Sequence, residues 1–233
     1  MKQQKLLSVI FLVKIIFFLG FFISLLFYFN DILKVKNIVL KEKIDIIGLE
    51  DLHNKNIFFI NQKIVEENFL KKNPFLKAVK IEKKYPSTLV LNIEKETILA
   101  KIKINKGYFY LTKEGKILKK NQQDQGHYPL IIFYKKFYYH SYQTGDKIDF
   151  LEIKKTLFFI DEARQLLIFP YSIEILNQDM LVFNMAKNRI LFSLKKDLNL
   201  QSYQLKEIVK NFKRQGLIFK ELDLRFDKPI IRY

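Results

Sequence analysis

Residues 6–29, LLSVIFLVKIIFFLGFFISLLFYF, form an apolar run interrupted by one charge, Lys14. As a helix rising ~1.5 Å per residue, the run reaches roughly 36 Å, more than a hydrocarbon core about 30 Å thick. Backbone groups in lipid must satisfy one another, so such a stretch is helical. The expectation is a membrane helix over 10–32 after a short tail, 1–9, with the rest of the chain on one side. A cleaved signal peptide fits less well. The run exceeds the usual apolar length, and FYFNDILKVK offers no small-residue cleavage site. Lys14 lies toward the N-terminal end and is able to snorkel. Lys2 and Lys5 precede the run while Lys34, Lys36, Lys41 and Lys43 follow it, so charge alone leaves the orientation open.

The formal net charge of +17 invites a nucleic-acid reading, but only five of 41 basic residues are arginine. The lysines are spread along the chain rather than gathered in a stripe, and phosphate recognition favours arginine forks. We therefore expect no nucleic-acid partner. Cysteine is absent, which removes disulfides, thiolate nucleophiles and thiolate metal sites.

Beyond the run, two segments compete as first strand, Val35–Leu40 and Lys43–Ile47. Asn61 is placed to cap a helix over Gln62–Lys72, which Pro74 ends. Ala78, Val79 and Ile81 alternate with polar residues before Tyr85-Pro86-Ser87, and Leu89, Leu91 and Ile93 do so after it; this reads as an antiparallel pair. From Ala100 short strands dominate. A helix is expected from the Asp149/Glu152 capping-box spacing to about Leu167, then strands over 172–176, 180–184 and 189–194. A last helix over about 200–214 closes at Gly216, and strand-like pieces follow at 220–226 and 230–233.

Reactive groups do not converge in this order. His53, His127 and His140 fall in separate loops without metal-ligand spacing, and no nucleophile elbow or phosphate-cradling glycine loop occurs. We expect no enzyme activity, cofactor, metal or small-molecule substrate. Acidic pairs such as Glu50-Asp51 and Asp161-Glu162 read as solvated faces, and the aromatics Phe58, Phe59, Phe158, Phe159, Tyr138 and Tyr139 as packing.

The segment PFLKAVKI (74–81), then YPSTL (85–89), IEKE (93–96) and Ala100, resembles the signature of the cell-division family FtsQ, also called DivIB. Asp223-Leu224-Arg225-Phe226 resembles that family's D-L-R-[YF] motif, which likewise follows a helix and precedes a last strand. Tyr85 stands where the family usually has tryptophan, and little chain is available for a first POTRA helix.

The resemblance implies an α+β chain: one N-terminal transmembrane helix, a small βαββ-type POTRA domain over 33–100, and an FtsQ-type β domain over 101–233. The β domain's mainly antiparallel sheet would end on an exposed C-terminal edge strand. It further implies a cytoplasmic N-terminus, periplasmic domains and an inner-membrane scaffold at the division septum. The partners would be FtsB-like and FtsL-like bitopic proteins, besides the lipid bilayer. A partner strand would dock beside Arg225, Phe226, Lys228, Ile230, Ile231, Arg232 and Tyr233, adding to unpaired N–H and C=O groups. The bland alternative is an ordinary last strand blunted by Lys228, Pro229 and Arg232. A POTRA-bearing envelope assembly factor is the other functional reading.

Overall fold

The computed structural model describes residues 2–42 and 44–233, and side-chain surroundings for all of these except 2–13, 15, 26 and 27. Met1 and Lys43, where the expected tail and the later strand candidate begin, lie outside it. Helix α1 covers Lys2–Ile32. Among the described residues no helix is long and apolar enough to cross a membrane, so the anchor rests on the sequence. Those side chains that are described, from Ile16 to Ile23 and at Leu25, are exposed on every side of α1.

Backbone contacts divide the chain into Met1–Lys95 and Glu96–Tyr233. In the first unit, β1 (Asn37–Leu40) runs parallel to β3 (Thr88–Lys95), which pairs antiparallel with β2 (Leu76–Lys84), giving the order β1-β3-β2. The earlier strand candidate is thus the first strand, and residues 44–46 are irregular. Two short 3-10 turns, Glu50–Leu52 and Ile57–Phe59, stand between β1 and Gln62, where a first POTRA helix would be. Helix α2 (Gln62–Lys72) begins as expected, with the Asn61 side chain accepting the Ile64 N–H at 3.3 Å. Asn73, fully buried, closes it: its amide donates to the Phe69 and Ile47 carbonyls and accepts the Ile47 N–H at 2.9 Å. Phe69, Leu76, Val79, Ile81, Leu89 and Leu91 form the core between α2 and the sheet.

The second unit is a nine-stranded sheet. Its strands are β4 (Ala100–Ile104), β5 (Gly107–Leu111), β6 (Ile117–Asn121), β7 (Leu130–Phe133), β8 (Ser172–Ile175), β9 (Met180–Asn184), β10 (Arg189–Ser193), β11 (Glu221–Asp223) and β12 (Ile230–Arg232). Their order is β12-β11-β10-β9-β8-β7-β4-β5-β6. Helices α3 (Leu151–Gln165) and α4 (Leu198–Gln215) make the crossovers between the parallel neighbours β7/β8 and β10/β11.

Alternate strand residues enter one core with both helices: Ile102 and Ile104, Phe109 and Leu111, Ile173 and Ile175, Leu181 and Phe183, Ile190 and Phe192. With a side-chain period of two, that places both helices on one face of the sheet. The Phe159 and Phe192 rings stack there at 4.2 Å.

Two expectations are corrected in this unit. The capping box at α3 does not form, because the helix starts one residue too late for it. Phe150 is the cap residue; Asp149 pairs with Lys154, and Glu152 accepts the Tyr134 hydroxyl at 2.8 Å. The Asp161-Glu162 pair is not simply solvated: Glu162, 14% exposed, reaches across to Ser202 and, at 2.6 Å, to Lys206 of α4. Burial opposes the Glu162 charge, yet the hydrogen bonds from Lys206 and Ser202 outweigh it and hold its carboxyl below the ordinary value.

Candidate partner-binding edge

The two edges of the nine-stranded sheet differ. At the start of β6 the chain covers its own edge: Ile117 N–H donates to Asp146 O and Gly145 N–H to Ile117 O, both at 2.8 Å, and Ile148 N–H donates to Gly115 O at 3.0 Å. Lys120 adds a bond to the Tyr142 carbonyl at 2.6 Å. Strand β12 instead pairs only with β11, through Glu221↔Arg232, Leu222↔Ile231 and Asp223↔Ile230. Among the described residues no strand lies on its other side. An edge strand of this kind presents unpaired N–H and C=O groups.

The sequence positions this edge through α4. Asp197 caps the helix by accepting the Leu200 N–H at 2.7 Å, and Leu205, Val209 and Phe212 bury its inner stripe. Gly216 takes the left-handed C-cap conformation at φ 64° that releases the chain toward β11. After β11, the chain turns on Asp223, whose side chain is 7% exposed. Its carboxylate accepts the Arg225 backbone N–H at 3.1 Å and both arms of the Arg225 guanidinium, at 2.9 and 2.6 Å. Burial of Asp223 opposes its charge, but the hydrogen bonds from Arg225, with the positive charges of Arg225 and Arg232, hold the carboxyl below its ordinary value. The same pairing raises the Arg225 pKa. Lys196 and Gln204 then pin the turn from below, donating to the carbonyls of Leu224, Phe226 and Asp227.

The seven expected binding residues therefore separate by role. Arg225 is a fastening of the turn, its guanidinium bound to Asp223 and touching Met180 Sδ at 3.4 Å. Arg232 pairs with Glu221 at 3.2 Å, and Arg189 closes on the same carboxylate. Ile231 is half-buried against the core, and the Tyr233 ring stacks on Phe212 of α4, centroids 6.0 Å apart. These last two hold β12 to the helix face. Phe226 and Ile230 are large, apolar and exposed, and Lys228 is exposed beside them.

The fastening by Lys196, Gln204 and Asp197 was not anticipated from the sequence, where they are unremarkable helix-start residues. Among the described residues no three His, Cys, Asp or Glu side chains gather as metal ligands.

Residues 35–96 match the family described as POTRA domain, FtsQ-type. The chain is 35% identical over 68 residues to the cell division protein DivIB of Clostridium botulinum strain Loch Maree, covering 29% of this chain and 26% of that protein. It is 34% identical over 68 residues to DivIB of the Hall strain, with the same coverage. The chain thus spans about a quarter of the length of these curated relatives. The FtsQ/DivIB resemblance read from the hairpin is supported by this segment.

Proposed function

With residues 35–96 a POTRA domain of the FtsQ type, we propose that the chain serves cell division as a membrane-anchored, non-catalytic scaffold. It recruits small bitopic division proteins of the FtsB and FtsL kind to the septum by strand addition along β12. Helix α1 is its anchor, and the two folded units lie outside the cytoplasm. A helix that is apolar on every side needs an apolar surrounding, and Ile16–Ile23 with Leu25 present such a surface. The observation that carries the reading is the asymmetry of the sheet: the 145–148 loop is hydrogen-bonded to the start of the β6 edge, at residues 115–117, whereas among the described residues nothing pairs with the outer side of β12.

A three-residue strand with Ile230 and Phe226 is a small interface, and weak affinity is expected in dilute solution. Tethering both partners to one membrane raises their effective concentration and makes such an affinity sufficient. The assembly-factor alternative would use the POTRA edge β2. There Ile81 already donates its N–H to Glu66 at 2.7 Å, and its carbonyl accepts from Gln62 at 2.6 Å, so α2 occupies that edge.

The test is co-purification of the full chain with its FtsB-like and FtsL-like partners. Ile230→Asp, at an exposed position, should leave the fold intact and reduce capture; capture at the parent level rejects docking at β12.

A further inference from the structure

One end of the POTRA unit is built from three segments tied to one another directly after α1. Ile57 N–H donates to Leu33 O at 2.8 Å, one residue past the helix, and the Asn56 amide donates to Asn30 Oδ1 in its last turn at 2.7 Å. Val35 N–H donates to Lys55 O at 2.9 Å, and Lys36 N–H to Ser87 O at 2.9 Å, which brings in the β2–β3 turn. Lys83 Nζ bonds the Phe58 carbonyl at 3.2 Å, and the rings of Phe58 and Tyr85 lie 6.4 Å apart.

This end exposes what a folded domain ordinarily hides. Phe59 is 82% exposed and Phe58 65%, contrary to the reading of these two as packing residues, and Tyr85 of the turn is 58% exposed. Lys36, Lys55 and Lys84 are exposed around them. Lys34 is neutralised by Asp31 at 2.8 Å, which leaves the surround net positive. Aromatic rings at the level of the headgroups and flanking lysines are the composition that binds the interface of an anionic bilayer.

We infer that Phe58, Phe59 and Tyr85 seat this end of the POTRA unit in the interfacial layer of an anionic bilayer, with Lys36, Lys55 and Lys84 on its headgroups. The unit is then held at the membrane surface rather than swinging freely on α1. This rests on α1 being the anchor. The hydrogen bonds to Asn30 and Leu33 leave Phe59 within reach of the plane where such a helix emerges.

The chain contains no tryptophan, so single substitutions report depth. The full chain is placed in nanodiscs of phosphatidylcholine and phosphatidylglycerol with brominated acyl chains, carrying Phe59→Trp, Phe75→Trp or Phe18→Trp in turn. Phe75 precedes β2, about 30 Å along the strand from the Tyr85 turn. Phe18→Trp tests the anchor itself. The expected result is quenching and a blue shift for Phe59→Trp by bromines near the carbonyl end, none for Phe75→Trp, and quenching of Phe18→Trp by mid-chain bromines. Joint Lys36→Glu, Lys55→Glu and Lys84→Glu substitution should diminish the Phe59→Trp quenching. Phe59→Trp quenched no more than Phe75→Trp, while Phe18→Trp is quenched, overturns the inference and leaves the anchor standing. A blue shift without bromine quenching overturns it in favour of a protein cover. Loss of Phe18→Trp quenching overturns the anchor and this inference together.

Discussion

Replacing Arg225 by alanine separates the two roles that its motif position allows. The substitution removes the two guanidinium hydrogen bonds to Asp223 and leaves only the backbone N–H as donor. Asp223 is 7% exposed and Arg225 33%. Breaking a fully buried pair costs about 3–5 kcal/mol, and hydrogen bonds to a charged group contribute about 1.5–3. The Arg225 side chain is partly exposed, so the loss should be about 2–3 kcal/mol. For a unit of this size that lowers Tm by about 5–10 °C. Adding Asp223→Asn to Arg225→Ala removes the orphaned charge and should restore part of the loss, a coupling of about 1–2 kcal/mol in a double-mutant cycle. Urea unfolding of the full chain, followed by tyrosine near-ultraviolet dichroism, measures it. Parallel partner capture is read under native conditions. Arg225→Ala that unfolds like the parent yet no longer captures partner would show Arg225 to be a contact residue and refute its place as a fastening.

Gly107→Ala should destabilise the second unit by about 3 kcal/mol or more, since φ is 119° and a Cβ would stand 2.1 Å from the Asn121 carbonyl oxygen; thermal unfolding reads this. Asn73→Ala should weaken the POTRA unit by about 2–3 kcal/mol, because the Ile47 N–H and carbonyl both lose the side-chain amide, while the Phe69 carbonyl keeps the backbone N–H of residue 73. Exchange of the Ile47 amide is the direct readout. Asp223 and Glu162 both have folded pKa values below their ordinary 3.8 and 4.5. Their contribution is present above those ordinary values and is lost as pH falls through the depressed folded ones. Acid titration of stability should therefore steepen below about pH 4, and Asp223→Asn should flatten it.

Local signals were well expressed in the chain. Asn61 before an apolar stripe and Pro74 after it bound α2, and the period-two alternation around Tyr85-Pro86 fixed β2 and β3. The strands over 172–194 appeared with their turns for the same reason. Which strand ends the sheet is a different matter. It depends on β10 and β11 becoming parallel neighbours through α4, a long-range pairing that no short window encodes; the family resemblance supplied it. The exposure of Phe58 and Phe59 was equally hidden, since an apolar doublet has the same spelling in a core and on an interfacial surface. Asp223-Leu224-Arg225-Phe226 was found as a motif, but its division into fastening (Asp223, Arg225), core (Leu224) and exposed surface (Phe226) needed the coordinates.

Hydrogen exchange of the full chain, alone and with the proposed FtsB-like and FtsL-like partners added, tests the open edge most directly. The account predicts that the amides of Ile230–Tyr233 exchange readily alone and slow when the partners bind, while that of Ile117 in β6, already bonded to Asp146 O, stays unchanged. Partners that bind and leave 230–233 as exchangeable as before, or protect β6 instead, would contradict it.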